Sequence, residues 1–245
     1  MKKKSIFILF LSIILLCVTG TICVFANPEY LPQSGIVSLA VEEINSDPGF
    51  SWLLDSWKTS DRESHLRDFV NTVSFDTMGV SILPSGPSGK RELILVLNVG
   101  GGNAYDFNKL KAVIKETPDT PVSEKSYSSQ TIYYANNELN DYNAFTVSGG
   151  SILIGTSVMA IEKGLDKKSF TKDPQYKDAS VHLSEQGDAV LFASNRDLQF
   201  AEFLDPLQQK WKLTLLLSSD SLEWIASSFD VIDSDKLTGG IIFKG

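Results

Sequence analysis

Apolar positions along the chain repeat with two periods, and the switches between them mark its elements. The run Ile36-Val37-Ser38-Leu39-Ala40-Val41 is apolar and β-branched and predicts a strand, with Leu31 to Gly35 as a short lead-in. Asp47-Pro48 follows, an N-cap residue before a proline suited to the first helical position. Phe50, Leu53, Leu54 and Trp57 then continue at helical spacing. Leu66, Phe69, Val70 and Val73 repeat that spacing and predict an amphipathic helix over about 62–75. Two apolar runs, 79–86 and 92–99, flank a Pro/Gly/Ser turn and read as an antiparallel pair. Phe107, Leu110 and Ile114 give a helix from Asp106 to Lys115 an inward stripe.

A polar linker, residues 116–126, carries Pro118 and Pro121 and breaks the pattern. Residues 128–137 and 143–156 then read as β-structure. Val158, Ile161 and Leu165 mark a short helix, and Asp173-Pro174 starts another. Residues 188–194 form an apolar strand. Helices are expected over about 197–229, with Leu222, Ile225 and Phe229 inward, before a last strand in LTGGIIFKG.

These elements predict an α+β fold of antiparallel sheets with helices packed on one face. Two related units are expected. Strand IVSLAV, a helix containing FVNTVSFD and later strands are echoed by AVLFAS, a helix containing WIASSFD and strand GGIIF. This divides the chain into 1–26, a first unit over 27–117 and a second over 118–245. The second unit stops where the first continues, so a truncated member of a longer architecture is expected.

The first 26 residues read as a targeting segment. Lys2, Lys3 and Lys4 precede an uncharged stretch from about Ile6 to Phe25, and Val24 and Ala26 suit a signal-peptidase site. The stretch nearly reaches the ~20 residues that span a bilayer, so an uncleaved anchor is the alternative to a cleaved signal. Leu16 and Ile22 stand before the two cysteines where a lipoprotein requires a small residue. Either way the chain is expected outside the cytoplasm, as a periplasmic, extracellular or membrane-anchored protein, touching membrane only through an uncleaved segment.

Cys17 and Cys23 both lie in that segment, leaving the mature part without a thiol, a disulfide or a cysteine metal site. Losing Lys2 to Lys4 takes Lys plus Arg from 22 to 19 against 30 Asp plus Glu, a net charge of −11. Acidic and basic residues alternate without a basic block, which argues against nucleic acid as a partner.

Each candidate chemical motif meets a plainer explanation. In PSGPSGKRELILVLNVGGGN, Gly89-Lys90 has Pro84 and Arg91 where a P-loop needs glycine and a hydroxyl, and it precedes its strand. Gly100 and Gly102 begin a dinucleotide fingerprint whose third glycine is replaced by Tyr105. His65 and His182 are the sole histidines, and the serine elbow of a hydrolase is missing at Gly155-Thr156-Ser157-Val158-Met159. Ser169 and Lys172 form a Ser-x-x-Lys pair in a polar loop. Asp230, Asp233 and Asp235 lack the glycine and glutamate of a calcium loop, and Glu42, Glu43, Glu116 and Asp119 share no spacing that aims them at one point. No catalytic residue, metal site or cofactor is expected. Trp52, Trp57, Trp211 and Trp224 are expected on helices as core, whereas Tyr127, Tyr133, Tyr134 and Tyr142 crowd one β-region and are the candidate lining of a ligand groove.

The stretch from Val147 to Asn195 resembles a family of exported bacterial proteins known as domain of unknown function 3352. Leu153-Ile154-Gly155-Thr156, Ile161 to Leu165, Asp173-Pro174-Gln175-Tyr176 and Ala189 to Ala193 carry the likeness, and LPQSGIVSLAVEEI resembles its lead strand. The resemblance implies an envelope or secreted α+β protein with paired units and brings no catalytic residues. The expected function is a non-catalytic interaction or structural module that contacts an envelope protein or small ligand. A carrier of a small apolar ligand and an exported hydrolase with an assembled carboxylate or Ser/His site are the alternatives.

Overall fold

The computed structural model describes residues 28–41, 64–70, 72–86, 92–100, 105–115, 117–136, 142–183, 189–195, 222–233 and 236–245. The strands are β1 (Val37–Val41), β2 (Thr77–Leu83), β3 (Glu92–Asn98), β4 (Ser123–Tyr127) and β5 (Gln130–Tyr134). They continue with β6 (Ala144–Ser148), β7 (Ser151–Gly155), β8 (Ala189–Ser194), β9 (Trp224–Asp233) and β10 (Lys236–Lys244). Among the described residues four α-helices accompany them: α1 (Ser64–Val70), α2 (Phe107–Val113), α3 (Val158–Leu165) and α4 (Pro174–Ser180). The fold is α+β. All ten strands join one antiparallel sheet in the order β10-β9-β8-β1-β2-β3-β7-β6-β5-β4.

Strand alternation sends β3 side chains to both sides. Ile94 and Val96 join a front core with Leu153, Phe192, Ala160 and Ile161, under α3 and α4. Leu95 and Leu97 join a back core with Phe69, Leu110, Phe145 and Ile152, under α1 and α2. The helices therefore cover both faces rather than one. β3 and β7 are buried from both sides, which is why they read as continuous apolar runs.

The lead-in is core. Tyr30 and Leu31 are fully buried, and the Tyr30 hydroxyl donates to Ser148 Oγ at 3.1 Å. Gly164 lets α3 settle on this layer, since a Cβ there would stand 2.6 Å from Ile94 Cδ1 and 3.1 Å from the Tyr30 carbonyl oxygen.

Three sequence expectations are corrected. The linker 116–126 supplies β4, whose exposed Ser123, Glu124, Lys125 and Ser126 lack the apolar alternation that signals a strand. Residues 224–229 are not helical. They belong to β9, paired with β8 on one side and β10 on the other, so Trp224 packs from a strand and the inward helical stripe does not exist. The amphipathic helix ends at Val70, and Val73 and Phe75 reach the back core from a loop. Trp52, Trp57 and Trp211, with the expected targeting segment and most of the helices expected over 197–229, lie outside the described residues.

The strands of the expected first unit, β1-β2-β3, are enclosed on both sides by strands from residues 118–245. The six strands about the β8/β1 seam are arranged alike: β1-β2-β3 run outward in chain order on one side, ahead of β7-β6-β5-β4, and β8-β9-β10 on the other. From the Leu39/Leu191 pair at the seam, the register leads through Val80 to Leu95 and through Ser227 to Ile241. Two residues further along, Leu97 and Phe243 are therefore counterparts.

Candidate functional site

The sheet ends in two unlike edges. β4 is five residues long and exposes Glu124 and Lys125, the charged device that discourages edge pairing. β10 is nine residues long, and between Lys236 and Lys244 it reads Leu-Thr-Gly-Gly-Ile-Ile-Phe, without charge or proline. Its only pairing among the described residues is to β9. Phe243 is 59% exposed, whereas its counterpart Leu97 is fully buried. Two differences accompany this: α1 and α2 cover the face on which Leu97 lies, and β3 has β7 on its outer edge, placing Ile152 opposite Leu97, whereas β10 has no outer neighbour among the described strands.

The end of β10 is pinned to the front face. Lys244 Nζ lies 2.9 Å from Asp178 Oδ2 on α4 and 3.4 Å from Glu223 Oε2. Asp178 also accepts from Trp224 Nε1 at 3.3 Å. The Lys244 hydrogen bond is the main cause holding the Asp178 carboxyl below its ordinary value, and the same bond raises the Lys244 ammonium.

The buried polar cluster with most chemical potential is Glu92, Thr156 and Ser157. Glu92 Oε2 accepts from Thr156 Oγ1 at 2.9 Å and from Ser157 Oγ at 2.5 Å. Ser157 Oγ also accepts the Ala160 amide as N-cap of α3, and Thr156 Oγ1 accepts the Leu93 amide. The hydroxyls are thus engaged in fastening α3 to β3, and no histidine stands in the cluster.

The histidines are not brought together. His65 is exposed on α1 over the back face, and His182 is exposed in the turn after α4 over the front face. His182 lies near Asp178, whose carboxylate is already engaged by Lys244 and Trp224. Ser169 caps the 3-10 turn Phe170–Lys172, accepting the Thr171 amide at 3.2 Å. Asp173 caps α4 through the Gln175 amide at 2.8 Å, as its sequence position suggested. Gly100 is a turn glycine with φ 63°, its amide held by Asn98 Oδ1. Asp230 and Asp233 belong to β9 of the terminal hairpin. Among the described residues no group of three or more potential ligands could hold a metal ion. No helix among them is long and apolar enough to cross a membrane.

The four candidate tyrosines do not line one groove. Tyr127 and Tyr134 pack on the front core, Tyr133 and Tyr142 on the back. The sequence brought them close, and strand pleating sent them apart. Tyr127 donates to Asp166 Oδ1 at 2.6 Å, which raises its phenol pKa, and neighbouring Lys125 pairs with Glu162 at 2.6 Å. These contacts fix the β4 edge to α3. Tyr133 stacks on Phe145 with centroids 5.1 Å apart, and Phe107 meets it edge-on at 5.0 Å beneath Lys111.

The β10 edge, missed in the sequence, was legible there only as a long strand with a neutral centre. Its exposure depends on which strands find partners.

Comparison with known proteins adds little. No family model matches the chain. No curated protein matches it. Among solved structures it is similar to "Structure of crystal form I of TP0453", with 10% identity over 84% of this chain and 73% of that one and a TM-score of 0.46.

Proposed function

We propose that this protein is an exported, non-catalytic contact module of the cell envelope or the secreted fraction. The observation that carries the reading is the contrast between its sheet edges, a short β4 charged at its centre and a long β10 whose seven central residues are neutral. An edge strand presents unpaired N–H and C=O groups to any extended segment, and between its terminal lysines, Lys236 and Lys244, β10 carries neither charge nor proline to turn one away. The amino-terminal segment and the resemblance to an exported family support a location outside the cytoplasm.

Site-specific photocross-linking in intact cells tests this. A photoreactive residue at position 243 should yield adducts with an envelope protein or a second copy, and one at position 125 should yield none. Adducts only with cytoplasmic proteins, or none from position 243, would overturn the reading.

A further inference from the structure

We infer that the occupant of the β10 edge is β10 of a second copy, paired antiparallel about a two-fold axis through Ile241. The inference rests on the contact reading above and names its partner. An antiparallel pair centred on Ile241 sets each Phe243 opposite the partner's Gly239, and each Ile242 opposite the partner's Gly240. Gly239 is exposed, and a Cβ at Gly240 would meet nothing within 4 Å. The bare backbone on one strand thus receives the exposed aromatic of the other, twice by symmetry, and an aromatic over an edge glycine is a known stabilising pair.

The register is also compatible with charge. Lys244 falls opposite Thr238 rather than another lysine, and its own charge is held by Asp178 and Glu223. The equivalent edge shows what such a seat accepts: Leu95, the counterpart of Ile241, faces Ile154 across an antiparallel pair. An isologous pair closes on itself, whereas head-to-tail joining of β10 to a β4 edge would continue as a filament and meet Glu124 and Lys125.

The test uses the full chain in detergent, with Cys17→Ser and Cys23→Ser, carrying single cysteines. Paired residues of antiparallel strands have Cα atoms about 4.5–5.5 Å apart, within disulfide reach. On mild oxidation Ile241→Cys should give a disulfide-linked dimer at least tenfold faster than Lys125→Cys. Adding Phe243→Lys, or Gly239→Val in the aromatic's seat, should abolish that difference, with thermal melts confirming that each variant folds. Equal rates for Ile241→Cys and Lys125→Cys, or a rate unmoved by both added variants, overturn the inference. The two readings separate cleanly: adducts from position 243 to another envelope protein, with no self-linkage at 241, leave the contact module standing and remove the second copy.

Discussion

Lys244, the penultimate residue, reaches Asp178 at 2.9 Å and ties the last strand to a helix 66 positions earlier in the chain. The Asp178 carboxyl is depressed in the folded state, so its contribution is present above the unfolded carboxylate pKa and is lost as pH falls through the lower folded value. Lys244 is raised, so its contribution is present below the unfolded lysine pKa and is lost as pH rises through the folded value. Between about pH 5 and 9 the pair should hold β10 steady. Asp178→Asn is expected to speed amide exchange across 236–244 at neutral pH and to flatten the acid limb of the stability curve. Unchanged exchange in that strand would show that β9 pairing alone holds it.

Ser157 and Glu92 form the fastening of α3 to the sheet. Ser157→Ala removes an N-cap and a donor to a buried carboxylate, and should cost about 1–2 kcal/mol in urea unfolding. In a double-mutant cycle with Glu92→Gln the two losses should couple by about 0.5–3 kcal/mol. Additive losses would mean that the hydroxyl serves the helix alone.

The hairpin joining β4 and β5 turns through Ser128 and Ser129, with φ of 48° and 63°. The β6–β7 hairpin uses Gly149 and Gly150 at 58° and 79° for the same job. Serine lacks glycine's ease in that region, so Ser128→Asn with Ser129→Gly should stabilise the protein by about 1 kcal/mol. Thermal melts should rise for that variant and fall for Gly149→Ala. A cost at Gly149 is doubly expected, because the added Cβ would approach the Tyr30 hydroxyl to 2.7 Å.

Tyr30 tests the lead-in. Tyr30→Ala should cost about 3–5 kcal/mol, as for a buried aromatic, and Tyr30→Phe about 1 kcal/mol for the lost bond to Ser148. Losses under 0.5 kcal/mol for both, in chemical denaturation of the full chain, would mean that residues 28–35 do not belong to the cooperative core.

Local chemistry made much of the fold readable. β3, β7 and β8 are apolar runs buried on both faces, and Asp106, Ser157 and Asp173 announce helix starts with side chains that accept their own backbone amides. Those signals lie within a few residues of what they specify. Three features lacked a local signal. β4 is polar because it is an edge. WIASSFD carries apolar residues that suit either period, and only pairing with β8 and β10 makes it a strand. The tyrosines sit on opposite faces because Tyr133 and Tyr134 are adjacent on a pleated strand.

The sequence by itself determined the α+β class, the antiparallel hairpins and the acidic, cysteine-free character of everything beyond the first 26 residues. Tertiary structure alone decided that helices lie on both faces, that one ten-stranded sheet joins the chain's two halves, and that Leu97 is buried while Phe243 is not. Apolar period and capping are written in neighbouring residues. Which edge of a strand is covered depends on segments far away in the chain, here 55 positions between Leu97 and Ile152.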